Sequence, residues 1–479
     1  MSVLIIDVGT SSIRVARANP DGSLSGERRA PALPQTPAPG LVEFDADALA
    51  TSALALATQS IEADGPADGV AITNQRASTV VWNPATGRAV APGQGWQDLR
   101  TVGDCLVLAA DGLRLAPNHS ATKVANILGQ VDPDRSTGLL SGTIDTWLAW
   151  SLSGGSTFVT DASNASLTGL ATNAADAWNA AVIDALNIPP ESLATIGDSL
   201  GALGTLDLLP GAPPLLAVLG DQQASMIGQG AVVPDAAKIT FGTGGMLDVC
   251  TPGDRPAVPR TTAGCFPIAG WSAGGQRTWA LEAIMLSAGT NVEWLRDDLG
   301  IIDDTAQSDE LAASVDDADG VVFVPAPLGL GTPHWDYGAR SGLFGLTRGS
   351  TKAHVARAVL EGVAQRGAEL LAAAEADSGA SIDALRVDGG MSQNRTFIQA
   401  LANAIQRPVE VSPVLEATAR GGGLAAGVAL GWFESVPALA DLWQPAEVIE
   451  PNGAFSADRW AEAVRRVGGW HPELSAINF

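Results

Sequence analysis

The sequence has little cysteine, little histidine and little positive charge. Three cysteines (Cys105, Cys250 and Cys265) supply no disulfide framework. Four histidines (His119, His334, His354 and His471) lie far apart along the chain and form no zinc-type cluster. Lys and Arg total 27 against 52 Asp and Glu, for a formal net charge of -25 and a pI near 4.4. That balance argues against nucleic acid and against an anionic membrane surface as partners. A phosphate-bearing ligand remains open to such a chain wherever local donors overcome its overall field. No uninterrupted apolar run reaches the length of a membrane span. Residues 1–4 lead straight into a strand-like segment, with no basic n-region or cleavage site. A Gly-x-x-x-x-Gly-Lys-Ser/Thr run is missing too, which excludes a Walker-type phosphate site. The expectation is a soluble, cytoplasmic protein that works on small molecules.

At 479 residues the chain is too long for one ordinary core, so two domains of roughly 200 residues or more are expected. The boundary is placed near residues 231–235, dividing the chain into 1–232 and 233–479. Residues 3–8 read as a buried strand running into a tight turn, and 13–18 as its return, closed off by Asn19-Pro20-Asp21-Gly22. The device recurs downstream: Lys238-Ile239-Thr240-Phe241 runs into Gly242-Thr243-Gly244-Gly245, and 246–249 returns. Two hairpins of one design, so far apart, suggest two related halves. Helical periodicity marks 45–63, 143–152, 176–186, 281–299, 354–378 and 395–404, and residues 385–388 form a short strand before Gly389-Gly390. Strands alternating with helices indicate an α/β class.

Chemistry concentrates at four places. In Gly220-Asp221-Gln222-Gln223-Ala224-Ser225 a lone carboxylate follows an apolar stretch and precedes two amides. An Asp at the end of a buried strand suits a general base, and equally suits a helix N-cap. In Asp7-Val8-Gly9-Thr10-Ser11-Ser12, backbone amides, three hydroxyls and a carboxylate fall within six residues. Such a turn can cradle phosphate oxygens, with Asp7 holding Mg²⁺ and Arg14 adding positive charge. It can also be an ordinary hairpin turn. Gly242-Thr243-Gly244-Gly245 offers a second cradle, and Gly389-Gly390-Met391-Ser392-Gln393-Asn394 a third glycine turn opening a helix, which suits an adenine or phosphate contact.

In order and spacing these motifs resemble the FGGY carbohydrate kinases, within the actin-like ATPase superfamily, and most nearly their glycerol kinase branch. The resemblance extends over nearly the whole chain. It includes Asn74-Gln75-Arg76, Trp96-Gln97-Asp98-Leu99-Arg100-Thr101, Gly142-Thr143-Ile144-Asp145-Thr146-Trp147, Thr160-Asp161-Ala162-Ser163-Asn164 and Ser341-Gly342-Leu343-Phe344-Gly345-Leu346. It implies two actin-like (ribonuclease H-like) ATPase domains with the active site in the cleft between them, the first binding carbohydrate and the second nucleotide. It implies ATP and Mg²⁺, a small polyol or sugar as acceptor, and a dimer or tetramer by analogy. Asp221 matches the catalytic base, and Asp7 the Mg²⁺-associated carboxylate, with Asp221 also beside the metal. Thr10, Ser11, Ser12, Arg14, Gly242 and Thr243 match phosphate-side positions, and Gly289, Gly390 and Asn394 nucleotide-side positions. Arg76, Trp96, Asp221 and Gln222 match polyol contacts.

Departures from the glycerol kinase pattern fall on the acceptor side. Ala77 stands where an acidic residue is usual, Asn118 (with His119 beside it) where a tyrosine is, Met246 where an aromatic wall is, and Asn126 where a tryptophan is. Glu293 replaces a nucleotide-side glutamine. Losing the carboxylate would leave substrate hydroxyls unpaired, and shorter side chains would widen the pocket. Asn118, His119 and Ser78 could pair with further hydroxyls. The expected enzyme transfers the γ-phosphoryl of ATP to a polyol or ketose larger than glycerol, such as a tetritol, pentitol or ketose. Glycerol kinase proper and xylulose or ribulose kinase are the alternatives. A non-catalytic actin-like nucleotide-binding regulator is the reading from another class.

Overall fold

Two sheets, each begun by one of the expected hairpins, organise the chain. They are seen in a computed structural model that describes residues 1–251, 255 and 260–477. The first sheet is built from Val3–Val8 (β1), Ser12–Ala18 (β2), Leu24–Pro31 (β3), Gly69–Asn74 (β4), Leu200–Thr205 (β5) and Pro214–Gly220 (β6). β1 and β2 form the antiparallel hairpin, with Val8 opposite Ile13, and β3 adds antiparallel to β2. On its other side β1 runs parallel to β4, and β4 parallel to β6. A parallel step needs a crossover. Ala46–Asp64 (α1) lies in that connection, capped by Asp45, whose side chain accepts from Ala48 N. The order is β5-β6-β4-β1-β2-β3.

Asp221–Gly228 (α2) follows β6 directly and leads into the second sheet. That sheet contains Ala237–Phe241 (β7), Gly245–Thr251 (β8), Phe266–Ala273 (β9), Gln276–Met285 (β10), Leu385–Asp388 (β11), Val409–Val411 (β12) and Glu447–Ile449 (β13), in the order β9-β10-β8-β7-β11-β12-β13. β10, β8 and β7 are joined antiparallel, and β7, β11 and β12 parallel. Strands β3, β2, β1, β4 and β6 show the same succession. The echo between the two hairpins therefore extends through five strands of each sheet.

One expectation fails. Residues 281–299 do not form one helix: 281–285 complete β10, and helix is confined to Thr290–Asp297 (α3). Leu281, Glu282, Ala283 and Met285 are good helix formers, but the pairing of β10 with β8 on one side and β9 on the other overrides that local preference. With the period of a strand, Leu281, Ala283 and Met285 turn into the second apolar core. The helix Lys352–Ser378 (α4) and Arg395–Ile405 (α5) pack in that same core.

Between the two sheets lie α2 and Ala417–Ala429 (α6), in a shared core that draws Val3, Ile5 and Ala71 from the first sheet and Ile268 and Ala280 from the second. The helices touch backbone to backbone. A Cβ on Gly421 would stand 1.7 Å from Ala224 O, and one on Gly228 1.9 Å from Ala417 O. A smaller sheet, including Thr79–Asn83, Gly93–Gln94 and Leu140–Thr143, extends from the first half with the helix Ser120–Val131 against it. Among the described residues no helix is long and apolar enough to cross a membrane.

Candidate active site

Asp221 stands where β6 ends and α2 begins. Gly220 holds the cap position and Asp221 is the first helical residue, so its carboxylate is not an N-cap. Oδ1 accepts from Gln222 N at 2.8 Å and lies 3.2 Å from Arg76 Nε. Among the described residues no hydrogen bond is made to Oδ2. Burial pushes the Asp221 carboxyl above the ordinary aspartate value, and the Arg76 guanidinium opposes that rise. Gly220 is needed here for space: a Cβ would stand 2.6 Å from Gln223 Oε1 and 2.8 Å from the Arg76 side chain.

Arg76 follows β4 and links the two halves. Its Nη2 donates to Glu282 Oε2 at 2.7 Å, and Glu282 projects from β10 of the second sheet. Gln222 is held from the same sheet by Lys238 on β7, whose Nζ donates to Gln222 Oε1 at 2.6 Å. Lys238 faces Asp248 in the register of β7 and β8, and its Nζ is 2.7 Å from Asp248 Oδ2. Both side chains are fully buried.

The first turn gathers around Asp7. Thr73 Oγ1 donates to its Oδ1 at 2.8 Å, and Arg14 Nη1 to its Oδ2 at 3.0 Å. Burial raises the Asp7 carboxyl to about 6 against the pull of Arg14 and Thr73, and the negative charges of Asp221 and Glu416 add to the rise. Arg14 also pairs with Glu416, just before α6, and Glu416 reaches Arg29 at 2.6 Å. The turn is closed by Gly9 N donating to Ser12 O at 3.0 Å. Thr10 and Ser12 are half-buried and Ser11 is exposed at the tip. Trp96 Nε1 donates to Thr10 Oγ1 at 3.3 Å, joining Trp96 to the first turn.

On the second sheet three glycine turns converge at the ends of β7 and β11. Gly289 N donates to Gly242 O at 2.9 Å, and a Cβ on Gly289 would stand 2.6 Å from that oxygen and 3.9 Å from Met391 Cγ. Gly389 takes φ 87°, and a Cβ there would stand 2.4 Å from Phe241 O, so glycine is required. Gly242, Thr243 and Gly390 are exposed. Asn394 caps α5, accepting from Phe397 N at 2.8 Å and donating to Ser308 Oγ at 3.0 Å. Glu293, in the first turn of α3, is exposed.

Lys123 ties Trp96 to Asn118: its Nζ donates to Trp96 O at 3.3 Å and Asn118 O at 3.0 Å. Ala77 is buried at φ 61°, with its carbonyl accepting from Ser120 Oγ at 3.1 Å. Asn118 is exposed, and Met246 is half-buried on β8 opposite Ile284. Among the described residues no hydrogen bond or ion pair links the Asn118 or Met246 side chain to Asp221. Ser78 is not available to a ligand: fully buried, it donates to Gln75 Oε1 at 3.1 Å and accepts from Trp96 N at 3.0 Å.

Sequence reasoning passed over Lys238, Asp248, Glu282 and Glu416. For Lys238 and Asp248 a signal existed, since a turn through Gly242-Thr243-Gly244 sets the register that opposes them. Glu282 was hidden by the helical reading of its segment.

Known proteins match over the whole of this architecture. The FGGY family of carbohydrate kinases matches residues 2–228 with its N-terminal domain and 237–430 with its C-terminal domain. The glycerol kinase of Aromatoleum aromaticum is 38% identical over 493 residues, covering 98% of this chain and 99% of the relative. That of Bordetella parapertussis is 39% identical, covering 98% and 97%. Among solved structures, Plasmodium falciparum glycerol kinase with ADP superposes with a TM-score of 0.88 at 25% identity, over 100% of this chain and 99% of that one. Xylulose kinase from Rhodospirillum rubrum shares the fold, with a TM-score of 0.82 at 21% identity and 99% coverage of each.

Proposed function

The chain belongs to the FGGY family of carbohydrate kinases, and from that premise we propose that it moves the γ-phosphoryl of ATP to a hydroxyl of a small polyol or ketose, with Asp221 as the base. The observation that carries this is the state of Asp221. One oxygen is engaged by Arg76 and Gln222 N, the other accepts no hydrogen bond among the described residues, and burial raises the affinity of the carboxylate for a proton. A base of that kind accepts the hydroxyl proton as the oxygen attacks. Phosphoryl transfer asks mainly for positioning and charge neutralisation. Arg76 and Gln222 orient the acceptor, and the Gly9–Ser12 and Gly242–Thr243 turns offer amides and hydroxyls to the phosphates. Asp7 and Asp221 fit a hard divalent ion by their all-oxygen chemistry and by the mutual repulsion that such an ion relieves. Mg²⁺ held there would offset phosphate charge.

We assign residues 1–232 to an acceptor-binding part and 233–479 to a nucleotide-binding part. The gap between the two matched family domains, 229–236, contains this division. Ala77 supports an acceptor larger than glycerol, because a methyl group leaves both room and unpaired hydroxyls where a carboxylate would stand. Glycerol is the second reading, favoured by the relatives at 38–39% identity. A panel of C3 to C6 polyols and ketoses, assayed for ADP release, tests both readings. Acceptor-dependent ATP consumption, strongest for a tetritol, pentitol or ketose, is expected. Preference for glycerol selects the second reading. Nucleotide binding with no acceptor-dependent turnover overturns the kinase and leaves a regulator.

A further inference from the structure

Three charged residues stand in one rank across the second sheet: Lys238 on β7, Asp248 opposite it on β8, and Glu282 opposite Asp248 on β10. The rank reaches two adjoining residues of the first half. Glu282 holds Arg76, which pairs with Asp221. Lys238 holds Gln222. The second arm has a consequence for which atom the Gln222 amide presents to a substrate.

An ammonium has three donors and no acceptor. Lys238 Nζ donates to Gln222 Oε1 at 2.6 Å and Thr240 Oγ1 at 3.1 Å, and it lies 2.7 Å from Asp248 Oδ2 in an ion pair. The amide of Gln222 can therefore meet Lys238 only through its oxygen, and its nitrogen must face away. The chemistry of lysine fixes this orientation, which the similar shapes of the amide's two ends would otherwise leave open. Among the described residues Gln222 Nε2 donates to no protein acceptor. Asp248 keeps the arrangement in place, since a buried ammonium without its counter-charge is costly.

We propose that Lys238, supported by Asp248, is a positioning residue that locks the Gln222 amide with its N–H groups toward the acceptor. The acceptor pocket then presents a proton acceptor, Asp221 Oδ2, beside a side chain that only donates. A substrate answers this pair with one hydroxyl that gives its proton to Asp221 and a second oxygen that accepts from Gln222. The inference rests on the kinase reading for its substrate and on the geometry alone for the orientation.

The test uses Lys238→Met combined with Asp248→Leu in the full chain, which removes the buried pair together and leaves no uncompensated charge. A crystal structure of this variant should show the Gln222 amide turned or split between orientations. Steady-state kinetics should show the acceptor KM raised at least tenfold, with the ATP KM within twofold of the parent. Gln222→Glu is the second variant. It keeps the bond to Lys238 but offers an acceptor where a donor stood, and it should raise the acceptor KM by a similar factor. An unchanged Gln222 orientation in the double variant overturns the proposal, as does an acceptor KM that neither variant moves. If the parent protein turns over no acceptor at all, the kinase reading fails, and the crystallographic orientation still decides the role of Lys238.

Discussion

Glu282 and Asp221 come from opposite halves of the chain and share one guanidinium, Arg76, which bonds Glu282 through Nη2 at 2.7 Å and faces Asp221 through Nε at 3.2 Å. The arrangement divides the work of a single cation. Glu282, almost fully buried, engages Nη2 of Arg76 at hydrogen-bond distance. The pull of Arg76 on Asp221 is thereby limited, and burial remains the larger influence on that carboxyl. A fully paired Asp221 would be a weak base. Without Arg76, burial would raise this carboxyl further and leave it without the partner that orients it.

Replacing Asp221 by Asn should lower kcat about a thousandfold, the contribution expected of a positioned base. Affinity for metal-free nucleotide, measured calorimetrically, should stay within threefold, because among the described residues no hydrogen bond or ion pair joins this carboxylate to the second half's glycine turns. Unchanged turnover would remove Asp221 from the role.

The same residue sets a pH dependence. The base must be ionised to act, and its folded value lies above that of an ordinary aspartate near 3.9. The acid limb of kcat/KM should therefore sit above that value, with activity falling as the pH falls through it. Stability runs the other way. A raised carboxyl binds its proton more tightly folded than unfolded, so this group costs stability as the pH rises through the window between the two values. Asp221→Asn should thus melt higher than the parent at pH 7.5 and lose that advantage near pH 4. A lower melting temperature at pH 7.5 would show that the pair with Arg76 outweighs burial.

Ala77→Glu should shift preference toward glycerol, raising kcat/KM for glycerol about tenfold relative to a pentitol, by supplying acceptors for two hydroxyls. The backbone at φ 61° already holds a non-glycine residue, so the substitution adds no new backbone strain. Glycerol kinetics that do not respond would remove Ala77 as the determinant of acceptor size.

Thr243→Val separates side chain from backbone in the second turn. The Thr243 carbonyl accepts from Ala288 N at 2.8 Å, a bond that valine retains, while the exposed hydroxyl is lost. One hydrogen bond to a charged phosphate is worth about 1.5–3 kcal/mol, so ATP affinity should weaken at least tenfold without loss of fold. Unaltered affinity would give the turn a purely structural role.

Strands and turns near Asp7, Gly242 and Asp221 were legible because each is a local pattern: an apolar run, a glycine and a following polar cluster. Thr73 was not. It meets Asp7 only through the parallel register of β1 and β4, and nothing in either segment states that register. Glu416 was hidden for a similar reason, since its partners Arg14 and Arg29 lie at the other end of the chain. Residues 281–285 misled because their local helix preference is real and the pairing that overrules it comes from β8 and β9. The site was therefore visible as loops, while the charges that brace those loops depended on contacts between halves.

The crossing of α2 and α6 joins these levels, and Gly421→Ala tests it. The added methyl would meet Ala224 O at 1.7 Å, within a helix pair that has no side chain between its backbones to give way. The helices must separate, at a cost of about 1–3 kcal/mol typical of overpacking, readable as a lower urea midpoint. Because α2 begins at Asp221 and α6 follows Glu416, separation also carries the base and the partner of Arg14 away from each other. The variant should therefore lose kcat beyond what its stability explains, at a temperature where it is fully folded, while ATP affinity stays near that of the parent. A variant that is less stable yet catalytically normal would make the crossing a matter of packing alone. One that is neither would place the two helices farther apart than the contact at Gly421 requires.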